Sequence, residues 1–120
     1  MPDLQIDHIQ LAIPKGSEDR CRPFWLALGF VELDKPEPLQ ARGGLWLRCG
    51  QVELHLGVDP DFTPATKAHP GFATTDLDGI AKALTARDVR LIWDHSIPDR
   101  RRFFTTDPVG NRLEFLAAGT

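Results

Sequence analysis

Residues 7–13 read "DHIQLAI". Ile9, Leu11 and Ile13 alternate with His8, Gln10 and Ala12, the period of a half-buried strand. One face is aliphatic and suits a core; the other begins with an imidazole. A second histidine opens a similar stretch, "AHPGFATTDLD" at 68–78. Adding 61 to His8 gives His69, and adding 61 to Glu53 gives Glu114, with no gap in either case. Matches between aliphatic residues under the same offset, such as Leu54 with Phe115, carry less weight because apolar residues are common. The two polar matches define an internal repeat.

The coarse pattern agrees with a repeat. Strand signals fall at about 5–13, 30–34, 44–49 and 52–58, and again at about 69–75, 90–94, 101–106 and 111–117. A helix fits about 18–28, with Ser17 as its cap, Glu18 and Asp19 in its first turn and Gly29 as its stop. A second helix fits about 76–88, capped by Asp76, with Leu77, Ile80, Ala81 and Leu84 as its apolar stripe. "DPDFTPATK" at 59–67 carries two prolines and reads as a linker, and "DPVGN" at 107–111 reads as a turn. Both halves therefore run strand, helix, strand, strand, strand. The expectation is one α+β domain over 1–120, with a βαβββ module at about 4–58, a linker at about 59–67 and a second module at about 68–118.

Alternation sets which way the polar pairs point. In "VELHLGV" at 52–58, Val52, Leu54 and Leu56 share one face and Glu53 and His55 the other. In "NRLEFLA" at 111–117, Leu113 and Phe115 oppose Arg112, Glu114 and Leu116. His8, Glu53, His69 and Glu114 thus oppose the aliphatic rows. Imidazoles and carboxylates gathered on one concave face need water or a cation between them, and a divalent ion satisfies all four. His55, two residues from Glu53, is placed to act as its proton partner or to line the cavity wall. Arg42, Arg48 and Lys67 suit either an anionic substrate or a solvated surface, and Arg48 shares its parity with Trp46.

Bulk properties exclude other classes. The chain has 120 residues, 42% hydrophobic and 26% charged, with a net charge of -3, so no general attraction to nucleic acid or anionic membrane is expected. The run Arg100-Arg101-Arg102 reads as a solvated strand edge or turn. No apolar run approaches the ~18 residues that span a bilayer, and "MPDLQIDH" lacks the basic start of a signal peptide. Cys21 and Cys49 form no CxxC, which fits a reduced, cytoplasmic protein. Asp94-His95-Ser96 holds the residue types of a hydrolytic triad, but consecutive residues do not converge on one point, so a loop after a strand is expected.

The stretches "IDHIQLAI", "FWLALGF", "AHPGFATTDLD" and "RFFTTDPVGNRLEFL" resemble the vicinal oxygen chelate superfamily, which includes glyoxalase I, extradiol dioxygenases, fosfomycin-resistance thiol transferases and bleomycin-binding proteins. The resemblance covers about residues 4 to 117. It implies two βαβββ modules forming a cupped mixed sheet. His8, His69 and Glu114 match the two-histidine, one-glutamate ligand set of the dioxygenases and fosfomycin enzymes. Glu53 matches the further glutamate that glyoxalase I uses as ligand and base. The implied cofactor is a divalent first-row metal (Ni, Zn, Mn or Fe), the implied partner a small-molecule substrate, and the implied assembly a homodimer. Glu53 and His55 are the catalytic candidates. Gln10 stands where the fosfomycin enzymes carry a threonine, and the chain has no tyrosine, unlike the dioxygenases. A metal-dependent lyase or isomerase is the leading expectation. A metal-free sequestering protein of the bleomycin-resistance type and a dioxygenase are the alternatives.

Overall fold

The structure, a computed structural model, describes residues 2–119. The chain divides into two compact units between Phe62 and Thr63, inside the expected linker.

The first unit runs β1 (Ile9–Ile13), α1 (Glu18–Ala27), β2 (Val31–Leu33), α2 (Glu37–Gln40), β3 (Leu45–Cys49) and β4 (Val52–Val58). Its sheet has the order β1-β4-β3-β2, with β1 parallel to β4 and the other pairs antiparallel. The second unit runs β5 (Gly71–Thr74), α3 (Leu77–Thr85), β6 (Ile92–Asp94), β7 (Arg102–Thr106) and β8 (Arg112–Ala117), with the order β5-β8-β7-β6 and β5 parallel to β8. These are two βαβββ modules of an α+β fold, each with a four-stranded mixed sheet.

Packing follows from alternation. In β3 and β4, Leu45, Leu47, Leu54 and Leu56 are buried. They face α1, whose buried Cys21, Phe24 and Trp25, with the cap residue Leu28, recur at i, i+3, i+4 and i+7. In the second unit Phe103, Leu113 and Phe115 are buried, as are Leu77 and Leu84 of α3, which packs near β8. Burying each such side chain contributes about 1.5–3 kcal/mol. Asp76 caps α3 as expected, accepting from Gly79 N at 3.0 Å. Ser17 does not cap α1: its hydroxyl donates to Pro14 O at 2.6 Å, holding the turn that precedes the helix.

Three local differences from the sequence reading stand out. The first strand begins at Ile9 rather than near residue 5, so His8 immediately precedes it, and His69 likewise stands before β5. Helix α2 was not expected, because two of its flanking and internal positions are Pro36 and Pro38; Pro36 precedes its first residue, where a missing N–H costs nothing. Past α2 the chain turns at Gly44, φ +86°, where a Cβ would overlap the Leu56 carbonyl oxygen. Finally, the 61-residue repeat does not extend to strand register. Leu54 pairs with Ile9, and adding 61 would pair Phe115 with Pro70; its partner is Phe72, two residues on.

The "DPVGN" turn is locked from inside. Buried Asp107 accepts from Val109 N (3.1 Å), Asn111 N (2.8 Å) and Asn111 Nδ2 (2.9 Å), and Gly110 takes φ +97°. Burial raises the Asp107 carboxyl above its ordinary value, against the opposing pull of these bonds. Asp107→Ala removes the acceptor from three donors, two of them backbone. It is expected to cost about 2–4 kcal/mol and lower Tm by roughly 10 °C. A thermal melt by circular dichroism at the wild-type midpoint would contradict this account of the turn.

Candidate active site

In the first unit, β3–β4 register sets Trp46 beside His55 and Arg48 beside Glu53, on the face opposite the leucines. The parallel β1–β4 pairing adds Gln10 beside His55. The side chains meet accordingly. Trp46 and His55 stack at 4.1 Å between centroids and 3° between planes, and His8 stacks on His55 at 4.3 Å and 16°. His55 Nε2 lies 2.8 Å from Glu53 Oε2, and Arg48 Nη2 donates to Glu53 Oε1 at 2.6 Å. His8 Nδ1 lies 2.8 Å from Asp7 Oδ2. His55 is buried; Arg48, with about half of its side chain exposed, is not.

In the second unit, register sets Phe104 beside Glu114. His69 Nε2 reaches Glu114 Oε1 at 2.8 Å, and Arg102 Nη1 donates to Glu114 Oε2 at 2.9 Å. Arg102 also donates to Asp94 (3.3 Å) and to Ser96 Oγ (3.1 Å). Arg102 and Arg112 both lie over the Phe104 ring, at 5.0 and 4.3 Å. Burial acts to raise the Glu114 carboxyl, but the bonds from Arg102 and His69 outweigh it and hold the group below its ordinary value. Stability from Glu114 is therefore present in full above the unfolded carboxyl range and is lost as pH falls through the lowered value. Asp94 is held at about 2, chiefly by the Ser96 hydroxyl and backbone N–H.

One sequence reading is corrected here. Arg102 is not a solvated strand edge: it lies in β7 and its side chain reaches across to Glu114. Asp94 ends β6 and Ser96 follows in the expected loop; the two bond to each other and to Arg102, positioning that guanidinium. Arg102, Phe104, Arg112 and Asp7 were missed as site residues. Parity in "RFFTT" at 102–106 already sets Arg102 and Phe104 on one face.

Glu53 and Glu114 have unlike surroundings. The partner that fixes Glu53, Arg48, is half-exposed, a pair contributing about 0–1 kcal/mol. Glu114 and Arg102 are both less than one-fifth exposed, and breaking such a pair costs more. The arginine that holds Glu53 is thus more exposed than the one that holds Glu114, while His55 also meets Glu53 at 2.8 Å.

The chemistry of the donors bears on a metal ion. Among the described residues, no group of three or more His, Cys, Asp or Glu side chains is assembled as a ligand set. Two of the histidines have polar neighbours at Nδ1. His69 Nδ1 has two neighbours, the Lys67 carbonyl at 3.0 Å, which can only accept, and Arg112 Nη1 at 3.3 Å, which can only donate. With Nδ1 accepting from Arg112, Nε2 carries the hydrogen and donates to Glu114 Oε1 at 2.8 Å. With Nδ1 donating to Lys67 instead, Nε2 and Glu114 Oε1 are two acceptors that a second proton or a cation would join. His8 repeats the first half of this pattern, with Nδ1 on the Asp7 carboxylate. An imidazole tied at Nδ1 to a carbonyl or carboxylate presents Nε2, the arrangement that orients histidine ligands.

No protein-family model matches the chain, and no curated protein matches it. Solved structures do. A Bacillus anthracis protein described as of the glyoxalase family is 41% identical, with 99% of this chain and 98% of that chain covered and a TM-score of 0.93. The chain belongs to the glyoxalase family. Lactoylglutathione lyase from Agrobacterium tumefaciens is 16% identical (TM-score 0.71, 98% and 96% covered), and a fosfomycin resistance protein from Listeria monocytogenes is 11% identical (TM-score 0.76, 98% and 96% covered). These two share the fold with this glyoxalase-family chain, within the vicinal oxygen chelate superfamily. No helix among its described residues is long and apolar enough to cross a membrane.

Proposed function

We propose that this glyoxalase-family protein is a metal-dependent enzyme of the lyase or isomerase type, acting on a small oxygen-bearing substrate. His8, His69, Glu114 and Glu53 would hold a divalent first-row metal (Ni, Zn, Mn or Fe). The observation that supports the reading best is the 2.8 Å contact of His69 Nε2 with Glu114 Oε1, a nitrogen and a carboxylate oxygen that a cation would join in the tautomer with Nδ1 donating to the Lys67 carbonyl. When bound, such an ion supplies Lewis-acid stabilisation of negative charge developing on substrate oxygens.

The chain's own residues account for the proton. Glu53 Oε2 takes it from an acidified carbon beside a carbonyl, and His55 Nε2 shares it across 2.8 Å. Trp46 fixes the plane of that imidazole by stacking, while Arg48 steadies Glu53 Oε1 until the carboxylate moves. Arg102 keeps Glu114 Oε2 occupied throughout, so Glu114 remains in place. The protein has no tyrosine to assist oxygen chemistry, which favours proton transfer over dioxygenation.

A screen of the Ni, Zn, Mn and Fe(II) forms against 2-oxoaldehyde–thiol adducts, fosfomycin with thiols, and catechols tests this reading. Turnover of an adduct is expected. Oxygen uptake with a catechol would contradict the isomerase or lyase assignment. Tight binding of an aromatic ligand without metal or turnover would replace it with a sequestering role of the bleomycin-resistance kind.

A further inference from the structure

A cavity of about 290 Å³ opens within the first unit, beside the Trp46–His55 stack. Its polar lining comes from Gln10, Lys35, Arg42 and His55. Leu39 and Val58 add apolar wall. The charge of this lining is opposite to that of the protein. The chain has 17 acidic and 14 basic residues, yet no aspartate or glutamate lines the cavity and two cations do. Neither cation is neutralised by a carboxylate. Lys35 Nζ donates to the Gly43 carbonyl and makes no ion pair among the described residues, although the Glu18 carboxylate, which accepts from Gly44 N, lies beside Gly43. The exposed Arg42 guanidinium has no hydrogen-bond or ion-pair partner among the described residues, in contrast to Arg48, which is committed to Glu53. The Gln10 amide lies against Gly57, where an added Cβ would meet its nitrogen.

We propose that this cavity anchors a small organic acid: a carboxylate, phosphate or phosphonate on a short apolar body. Arg42 and Lys35 take the anionic group, which matches a guanidinium fork and an ammonium together. Gln10 supplies an amide for a neighbouring oxygen. The apolar wall takes the body, and the volume lies at the lower limit of small-ligand sites, too small for a nucleotide or a peptide. The substrate's reacting end then lies toward His55 and Glu53. The inference deepens the proposed function, since it names the substrate class of the same site, but anion anchoring does not need a metal and is tested without one.

The test uses the full chain freed of metal by chelation. Phenylacetate and phenylphosphonate are titrated against it, with phenylacetamide as the neutral counterpart, and binding is read from chemical shifts of Trp46, His55 and Gly57. At least one acid should bind at least about tenfold more tightly than the amide, because hydrogen bonds to charged groups are the strong ones. Arg42→Ala should weaken that acid about tenfold and leave the amide unchanged; Arg87→Ala, just past α3 and outside the cavity lining, should change neither. Stronger binding of phenylacetate would identify a carboxylate ligand, and of phenylphosphonate a phosphate-like one. Equal binding of acids and amide, no acid binding up to about 10 mM, or an Arg42→Ala chain that binds as wild type would overturn the proposal. A chain that binds acids yet takes up no metal would instead sink the metal-dependent enzyme and leave the anion site standing.

Discussion

Glu53→Gln is expected to retain metal and lose turnover by about 10²–10⁴-fold, the range for removing a general acid–base group. The substitution keeps the size of the side chain and one acceptor oxygen for Arg48, so the sheet face should persist. What it removes is the site that receives the proton. The loss should fall on kcat with little change in KM, since Glu53 is assigned to the reacting proton rather than to substrate anchoring. A Glu53→Gln protein with wild-type kcat on the identified substrate would remove Glu53 from the mechanism.

Glu114→Gln is expected to behave differently, losing both metal and turnover. Glu114 is buried, bonded at one oxygen by His69 and at the other by Arg102. An amide cannot replace the charge that Arg102 and a divalent ion would share. Losing a partner one step removed from a metal already costs ~10–100-fold in affinity, so losing a ligand should cost at least the upper end of that range. Because Arg102 would keep its bonds to Asp94 and Ser96, the variant should remain folded, which a thermal melt can establish. Equal metal affinity in Glu114→Gln and wild type would show that Glu114 is not a ligand.

Much of the fold is legible in parity and repeat. The alternation in "VELHLGV" correctly separates Leu54 and Leu56, which are buried against a helix, from Glu53 and His55 on the other face. "DPVGN" reads correctly as a turn because Asp107 supplies the acceptors that such a turn needs. Other features are set by pairing between strands, which one sequence does not display. The two-residue difference in register between Leu54–Ile9 and Phe115–Phe72 is one. The ring stack of His8, His55 and Trp46 is another, since it requires three chain segments to be in register. Arg102 was misread for a different reason. Three consecutive arginines look like a charged surface, whereas strand alternation turns the third toward Glu114 while the second, Arg101, pairs with exposed Asp78. Helix α2 was hidden by prolines that are tolerated in a first turn.

Metal content is the most direct measure of the account. Protein purified without a chelating column, then stripped and reconstituted in turn with Ni, Zn, Mn and Fe(II), is analysed by elemental mass spectrometry beside His8→Ala and Glu114→Gln. The account predicts about one tightly held divalent ion per site in the wild type for at least one of these metals, and a large loss in both variants. Near-zero content in the wild type, equal to that of the variants, would contradict it.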